Sequence, residues 1–98
     1  MKFCAKMHKY GEHKILAICD EEVLNKEFEF KDVKIKVSSS FYFEKIIEEK
    51  DIENLLREAN IINIFGNRIV EYFIKKGLLK EKNILVIGNQ RHAIIQIL

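Results

Sequence analysis

The residues with the widest chemical repertoire in this chain are the thiol of Cys19, the carboxylate of Asp20 and the imidazole of His92. A cysteine nucleophile needs a base within hydrogen-bond reach, and only the fold could bring His92 to Cys19. Acids next to a thiol raise its pKa, which disfavours the reactive thiolate. We therefore keep a small enzyme or a small-molecule site at these residues as an alternative, and favour a binding protein.

A second set of residues favours the binding of anions. Gly66 allows a sharp turn, Asn67 is a suitable N-cap, and Arg68 opens a helix that we expect to end before Gly77. Backbone amides at a helix start, with an arginine beside them, can bind a phosphate. Further residues could extend this anion-binding surface, namely Lys75, Lys76, Lys80, Lys82, Arg91 and His92.

The segment before this helix is apolar but contains amide side chains. Asn63 lies between isoleucines, and an unpaired buried amide costs about 1–3 kcal/mol. If this segment is buried, Asn63 therefore needs a hydrogen-bond partner. Asn60, Asn63 and Gly66 are predicted either to support the core or to line a pocket, and the sequence leaves both open.

Metal and cofactor motifs are not found in the sequence. The two cysteines and three histidines form neither a C-x-x-C nor an H-x-x-x-H pair, and the four glycines match no dinucleotide or phosphate-loop fingerprint. We therefore expect no metal and no cofactor. Cys4 and Cys19 are expected to be reduced, packed thiols, which face each other if a hairpin turns at residues 11–12.

Hydrophobic periodicity predicts one α+β domain over residues 1–98. We expect a mostly antiparallel sheet, with an N-terminal hairpin, short middle strands and a C-terminal hairpin, packed with two central helices. Strands are predicted at residues 2–9, 14–19, 83–87 and 92–98, a helical turn at 21–24, helices at 51–60 and 68–76, and two short strands or one bent strand at 28–37. Residues 61–65 fit either a continuation of the first helix or a short extended segment.

Aromatic and charged residues indicate which surfaces could bind a partner. The run Phe41-Tyr42-Phe43 could stack on nucleic-acid bases, but no accompanying Gly or Arg pattern supports this, so we expect it to cover the open end of the core. The chain has a net charge of +2, with basic ends and an acidic middle. The ends form one basic face if they meet in space, and are ordinary solvated charges otherwise.

Targeting and membrane segments are not expected. No apolar run approaches the roughly 20 residues that a membrane helix requires. The N-terminus lacks the apolar core of a signal peptide. We therefore expect a cytoplasmic protein without a membrane partner.

Several motifs together resemble one family. These are Ala17-Ile18-Cys19-Asp20-Glu21, Phe41-Tyr42, the segment from Ala59 to Gly66, and Ile87-Gly88 followed by His92-Ala93. They are similar to the small archaeal proteins known as the domain of unknown function, group four-two-four, over nearly the whole chain. The chain departs from the family pattern at Asn25, where glycine is usual, and at Gln90-Arg91, where Val-Pro is usual. The resemblance implies an archaeal cytoplasmic protein and supplies no catalytic residues.

We predict a small binding protein associated with RNA or with the translation machinery, whose partner is RNA or a ribosome-associated protein. Arg68 and Lys76 would contact phosphate, and Arg91 and His92 would extend the surface. A third alternative, beside the enzyme, is an interaction module in which an exposed edge strand extends the sheet of a partner protein.

Overall fold

The N-terminal part of the sheet is the hairpin that the alternating pattern predicts. In the computed structural model, which describes residues 1–97, β1 (Lys2–Tyr10) and β2 (His13–Asp20) pair in antiparallel register. Gly11 has a φ of +59° in the two-residue turn between them, a backbone region that glycine adopts without strain. Cys4 lies directly opposite Cys19, as a turn at residues 11–12 requires.

The other elements are arranged around this hairpin. The remaining strands are β3 (Glu27–Phe30), β4 (Val33–Lys36), β5 (Lys45–Glu48), β6 (Ile61–Phe65), β7 (Leu85–Ile87) and β8 (Gln90–Gln96). The helices are α1 (Ser39–Tyr42), α2 (Ile52–Leu56) and α3 (Asn67–Lys75), and 3-10 turns cover Glu21–Val23, Glu49–Asp51 and Glu81–Asn83. One sheet has the strand order β5-β1-β2-β6-β8-β7, and β3 with β4 forms a second sheet. Among the described pairs only β2 and β6 are parallel, so the predicted α+β class with a mostly antiparallel sheet is confirmed.

Residues 61–65, whose sequence fits either a helix or an extended segment, form strand β6 in the middle of the large sheet. The helix predicted over residues 51–60 was too long, because α2 ends at Leu56. Asn60 explains the early end. Its backbone N–H donates to the carbonyl of Lys14 at 3.0 Å, and its side chain forms two further hydrogen bonds to the same hairpin. These bonds hold Asn60 beside β2, so the chain continues into the strand that begins at Ile61 and not into a longer helix.

Both ends of the large sheet differ in detail from the prediction. Strand β5 was not predicted, since a four-residue segment carries little periodicity, yet it pairs with β1 and places Ile47 opposite Phe3. The C-terminal hairpin forms as predicted from β7 and β8. Gln90 and Arg91 belong to β8, whereas the prediction placed them in the turn, and Leu98 lies outside the described residues.

The large sheet separates two hydrophobic clusters. On one face it packs against α2 and α3, and the large buried side chains are those of Phe3, Leu16, Ile18, Ile62, Ile64, Ile69 and Phe73. On the other face, α1 and the β3–β4 hairpin cover a smaller cluster, which contains Cys4, Cys19, Tyr42 and Phe65. No helix among residues 1–97 is long and apolar enough to cross a membrane.

The turn from β6 into α3 depends on Gly66, whose φ is +128°. A Cβ at this position would lie 2.8 Å from Cβ of Asp20, closer than side chains approach each other. The prediction that Asn67 caps the helix is wrong, because Asn67 is already the first helical residue. Asp20, at the end of β2, instead accepts hydrogen bonds from the backbone N–H groups of Arg68 and Ile69.

We expect Gly66→Ala to lower the free energy of unfolding by about 3 kcal/mol, since the methyl group adds an overlap with Asp20 to the cost of a positive φ. Gly77→Ala is the matched control, because Gly77 also has a positive φ but has open space around it. It should cost only about 1–2 kcal/mol. Urea unfolding of both variants measures the difference, and equal losses would show that the contact with Asp20 does not constrain the turn.

Candidate functional site

A buried carboxylate holds the start of α3. Oδ2 of Asp20 accepts a hydrogen bond from the N–H of Arg68 and Oδ1 accepts one from the N–H of Ile69, each at 2.9 Å. Asp20 is 2% exposed, and burial raises its pKa, while the two amide bonds and the charge of Arg68 oppose that shift. The backbone amides that the sequence assigned to a phosphate are therefore bonded to an anion of the protein itself.

The guanidinium of Arg68 is also bonded within the protein. Its Nε and Nη2 donate to the two carboxylate oxygens of Glu22 at 2.7 and 2.6 Å, and Nη2 also donates to the carbonyl of Lys2. Arg68 lowers the pKa of Glu22 to about 2, so this pair stays charged at neutral pH. The Arg68 side chain remains 25% exposed, and a phosphate contact there stays a prediction.

Four of the residues predicted to bind an anion meet in one cavity of about 280 Å³, which we name the α3 groove, and Lys80 and Lys82 do not line it. The groove is lined by Met1, Glu49, Asn67, Arg68, Glu71, Tyr72, Lys75 and Arg91. A wider cavity of about 570 Å³ continues it, since Glu49, Tyr72 and Lys75 line both, and Lys76 lies in this second part. Asn67, Arg68, Lys75 and Arg91 therefore lie on one surface, together with acids that the sequence does not group with them.

The cations of the groove differ in how strongly they are paired. Arg91 donates to the side chain and the carbonyl of Asn67 at 3.1 and 3.0 Å, and lies 3.3 Å from a carboxylate oxygen of Glu71. Lys76 is 3.5 Å from Glu53. Within residues 1–97, Lys75 has no carboxylate within 4.0 Å. Lys75 is thus the cation of this surface that is readiest to meet an external anion.

His92 does not extend the α3 groove, because it points to the opposite face of the sheet. There its Nε2 lies 3.0 Å from Oδ1 of Asn63, and the same oxygen accepts a hydrogen bond from the buried Tyr42 hydroxyl at 2.6 Å. Since Oδ1 only accepts, this geometry places the imidazole proton on Nε2. The amide of Asn63 therefore joins three elements, and burial lowers the pKa of His92 and raises that of Tyr42.

Cys19, Asp20 and His92 do not come together into one site. Cys19 and Asp20 are neighbours in β2 and point to opposite faces of the sheet. Phe65 pairs with Cys19 on one side and with His92 on the other, so two strand spacings, about 10 Å, separate the thiol strand from the imidazole strand. Burial raises the pKa of Cys4 and of Cys19, which disfavours a nucleophilic thiolate. In the described part of the chain, no three histidine, cysteine or acidic side chains are arranged to hold a metal ion.

The sequence analysis missed a partly exposed surface near the turn of the N-terminal hairpin. We name it the open sheet face and define it by the side chains of His8, Tyr10, Ile15, Ile61 and Ile94. These residues share one side of the sheet, because His8 pairs with Ile15 and Ile15 pairs with Ile61. Alternation along β1 places Lys6, His8 and Tyr10 on one side of the strand, but it does not show whether other elements cover that side.

The fold and these surfaces can now be compared with known proteins. A family model described as "Protein of unknown function (DUF424)" matches residues 8–98. The chain belongs to this family. The crystal structure of an uncharacterized conserved protein from Methanopyrus kandleri has 27% sequence identity and a TM-score of 0.83, and the match covers 100% of this chain and 93% of that one. The search of curated proteins gives no match. The family and this archaeal structure therefore agree with the resemblance found in the sequence and assign no activity.

We expect neither thiol to react quickly in the native protein, because Cys4 and Cys19 are fully buried and burial raises the pKa of both. Alkylation by iodoacetamide at pH 7, followed by mass spectrometry, should label both only after denaturation. Fast and selective labelling of Cys19 in the folded protein would restore the enzyme hypothesis.

We expect the stabilisation contributed by His92 to decrease as the pH falls from 7 to 5. Burial lowers the pKa of His92 from 6.5. On acidification the unfolded state therefore binds a proton at this residue before the folded state does, and the unfolded state is stabilised relative to the folded one. In the variant His92→Gln the side chain does not titrate in this range, and its amide N–H can still donate to Oδ1 of Asn63. The difference in unfolding free energy between the native protein and this variant should shrink on acidification in urea titrations, whereas a difference independent of pH would contradict the assignment.

Proposed function

We propose that the protein is a small RNA-binding protein whose α3 groove contacts the phosphate backbone. The observation that carries this proposal is the meeting of Asn67, Arg68, Lys75 and Arg91, from the start and end of α3 and from β8, on one groove. Lysine and arginine on a shared surface bind RNA by displacing counterions from phosphates, without reading sequence. The sequence favours RNA or a ribosome-associated protein as the partner, and we propose RNA as the partner of the groove.

The energetics of the ion pairs are compatible with this function. The pairs between Arg91 and Glu71 and between Lys76 and Glu53 are 3.3 and 3.5 Å long and partly exposed, and such pairs contribute about 0–1 kcal/mol or less. A phosphate can therefore compete for both cations. Lys75 can bind without breaking a pair. Glu49 and Glu71 line the same groove and repel phosphate, which limits the expected affinity.

Charge reversal tests the groove. The double variant Lys75→Glu with Lys76→Glu should weaken binding of a labelled RNA about tenfold, because both lysines become repulsive. The slope of log affinity against log salt should fall by about 0.7–0.9 for each lost contact. Fluorescence anisotropy at several salt concentrations measures both quantities.

The matched control is the double variant Lys80→Glu with Lys82→Glu. It changes the net charge by the same amount, but neither lysine lines the groove or its wider continuation. Unchanged affinity in the groove variant, or an equal loss in the control, would refute the groove as the contact. Affinity capture of the protein from cell extract with and without nuclease then separates the candidates. A protein partner retained after nuclease and high salt would favour the interaction module instead.

A further inference from the structure

The large sheet is covered unevenly on the side away from α3. The β3–β4 hairpin and α1 pack on the end that contains Cys4, Cys19 and Phe65. Toward the turn at Gly11 this cover ends and the open sheet face begins. Tyr10 is 63% exposed and Ile94 is 59% exposed, while Ile15 and Ile61 are half-buried between them. These side chains leave apolar surface of the sheet open to a partner.

Three rings form an ordered series beside this apolar surface. The ring of His8 lies 6.2 Å from Tyr10 at an interplanar angle of 11°, and 4.6 Å from Phe41 at 22°. Nε2 of His8 is 2.8 Å from the carbonyl oxygen of Phe41, which fixes the imidazole in this orientation. The series ends at the exposed Tyr10, so a further flat ring can stack there on a platform that is already arranged.

The charges around the rings are suited to a polyanion. Lys6 lies on the same face of β1 as His8 and Tyr10. Lys9 and Lys14 pair with each other at the same end of the hairpin, but their side chains lie on the opposite face of the sheet. Within the described residues, none of these three amines has a carboxylate within 4.0 Å, and Lys6 bonds only a backbone carbonyl, that of Ser40. These cations are therefore free of the pairing found in the α3 groove.

We propose that the open sheet face binds unpaired bases of single-stranded RNA, with one base stacked on the ring of Tyr10. This rests on the proposed RNA-binding function and adds the substrate class. An unpaired base presents a flat π surface and a phosphate on either side, and these match the ring of Tyr10 and the ammonium group of Lys6 on the same face. A duplex keeps its bases stacked inside and offers phosphates alone, so it gains nothing from Tyr10.

The inference is tested with two forms of one RNA. The probes are a labelled 12-nucleotide strand that cannot fold on itself and the same strand annealed to its complement. Tyr10→Ala should weaken binding of the single strand about five- to tenfold and leave duplex binding unchanged. Tyr10→Phe keeps the ring and should restore single-strand binding. Phe43→Ala is the matched control, because it removes an exposed phenyl ring that is not part of the series.

The outcomes separate this inference from the proposed function. If both RNA forms bind and Tyr10→Ala binds the single strand as well as the native protein does, the open sheet face is not the base-binding surface, and RNA binding stands. If the native protein binds neither form at low salt, the RNA-binding function itself is refuted and this inference with it. Selective loss of single-strand binding in Tyr10→Ala, with rescue in Tyr10→Phe, supports both.

Discussion

The carboxylate of Asp20 is the interaction on which the rest of the structure depends. It joins the end of β2 to the start of α3, across 48 and 49 residues of sequence, through two backbone N–H groups. Gln90 accepts from the N–H of Asn67 at 3.1 Å, and the carbonyl of Gly66 accepts from Val70, so the first four amides of the helix all have partners. The same carboxylate excludes any side chain at Gly66. The sheet and the helix are thereby joined at one buried carboxylate, whose desolvation is partly offset by the bonds from Arg68 and Ile69.

Local patterns predicted the elements whose partners are local. The N-terminal and C-terminal hairpins follow from alternation and a glycine at the first turn position, and α3 follows from its apolar periodicity. Long-range hydrogen bonds determine the elements whose prediction was wrong or undecided. Helix α2 ends early because Asn60 forms hydrogen bonds to the β1–β2 hairpin. The start of α3 is capped by Asp20, from a distant strand, and not by Asn67. Neither contact leaves a trace in nearby sequence.

The candidate site shows the same division. The cations along α3 and at the start of β8 line one groove, because a helix and a neighbouring strand place them on one side. Their acidic partners Glu22, Glu53 and Glu71 could not be assigned, since ion pairing depends on side chains that only the fold brings close. The open sheet face was missed for a different reason. Whether a strand face is covered depends on where other elements end, and the pattern of Lys6, His8 and Tyr10 is the same in either case.

The parallel pairing of β2 with β6 has a consequence for how the chain folds. Each of the three hairpins closes over a two-residue turn, so each can form independently within microseconds. Strand β6 pairs with a β2 that lies some forty residues earlier, and it also pairs with β8. Closing that long loop has a larger entropic cost than closing any hairpin. The large sheet is therefore completed only when β6 inserts between the N-terminal and C-terminal hairpins. Before this step, β2 and β8 each have an unpaired edge.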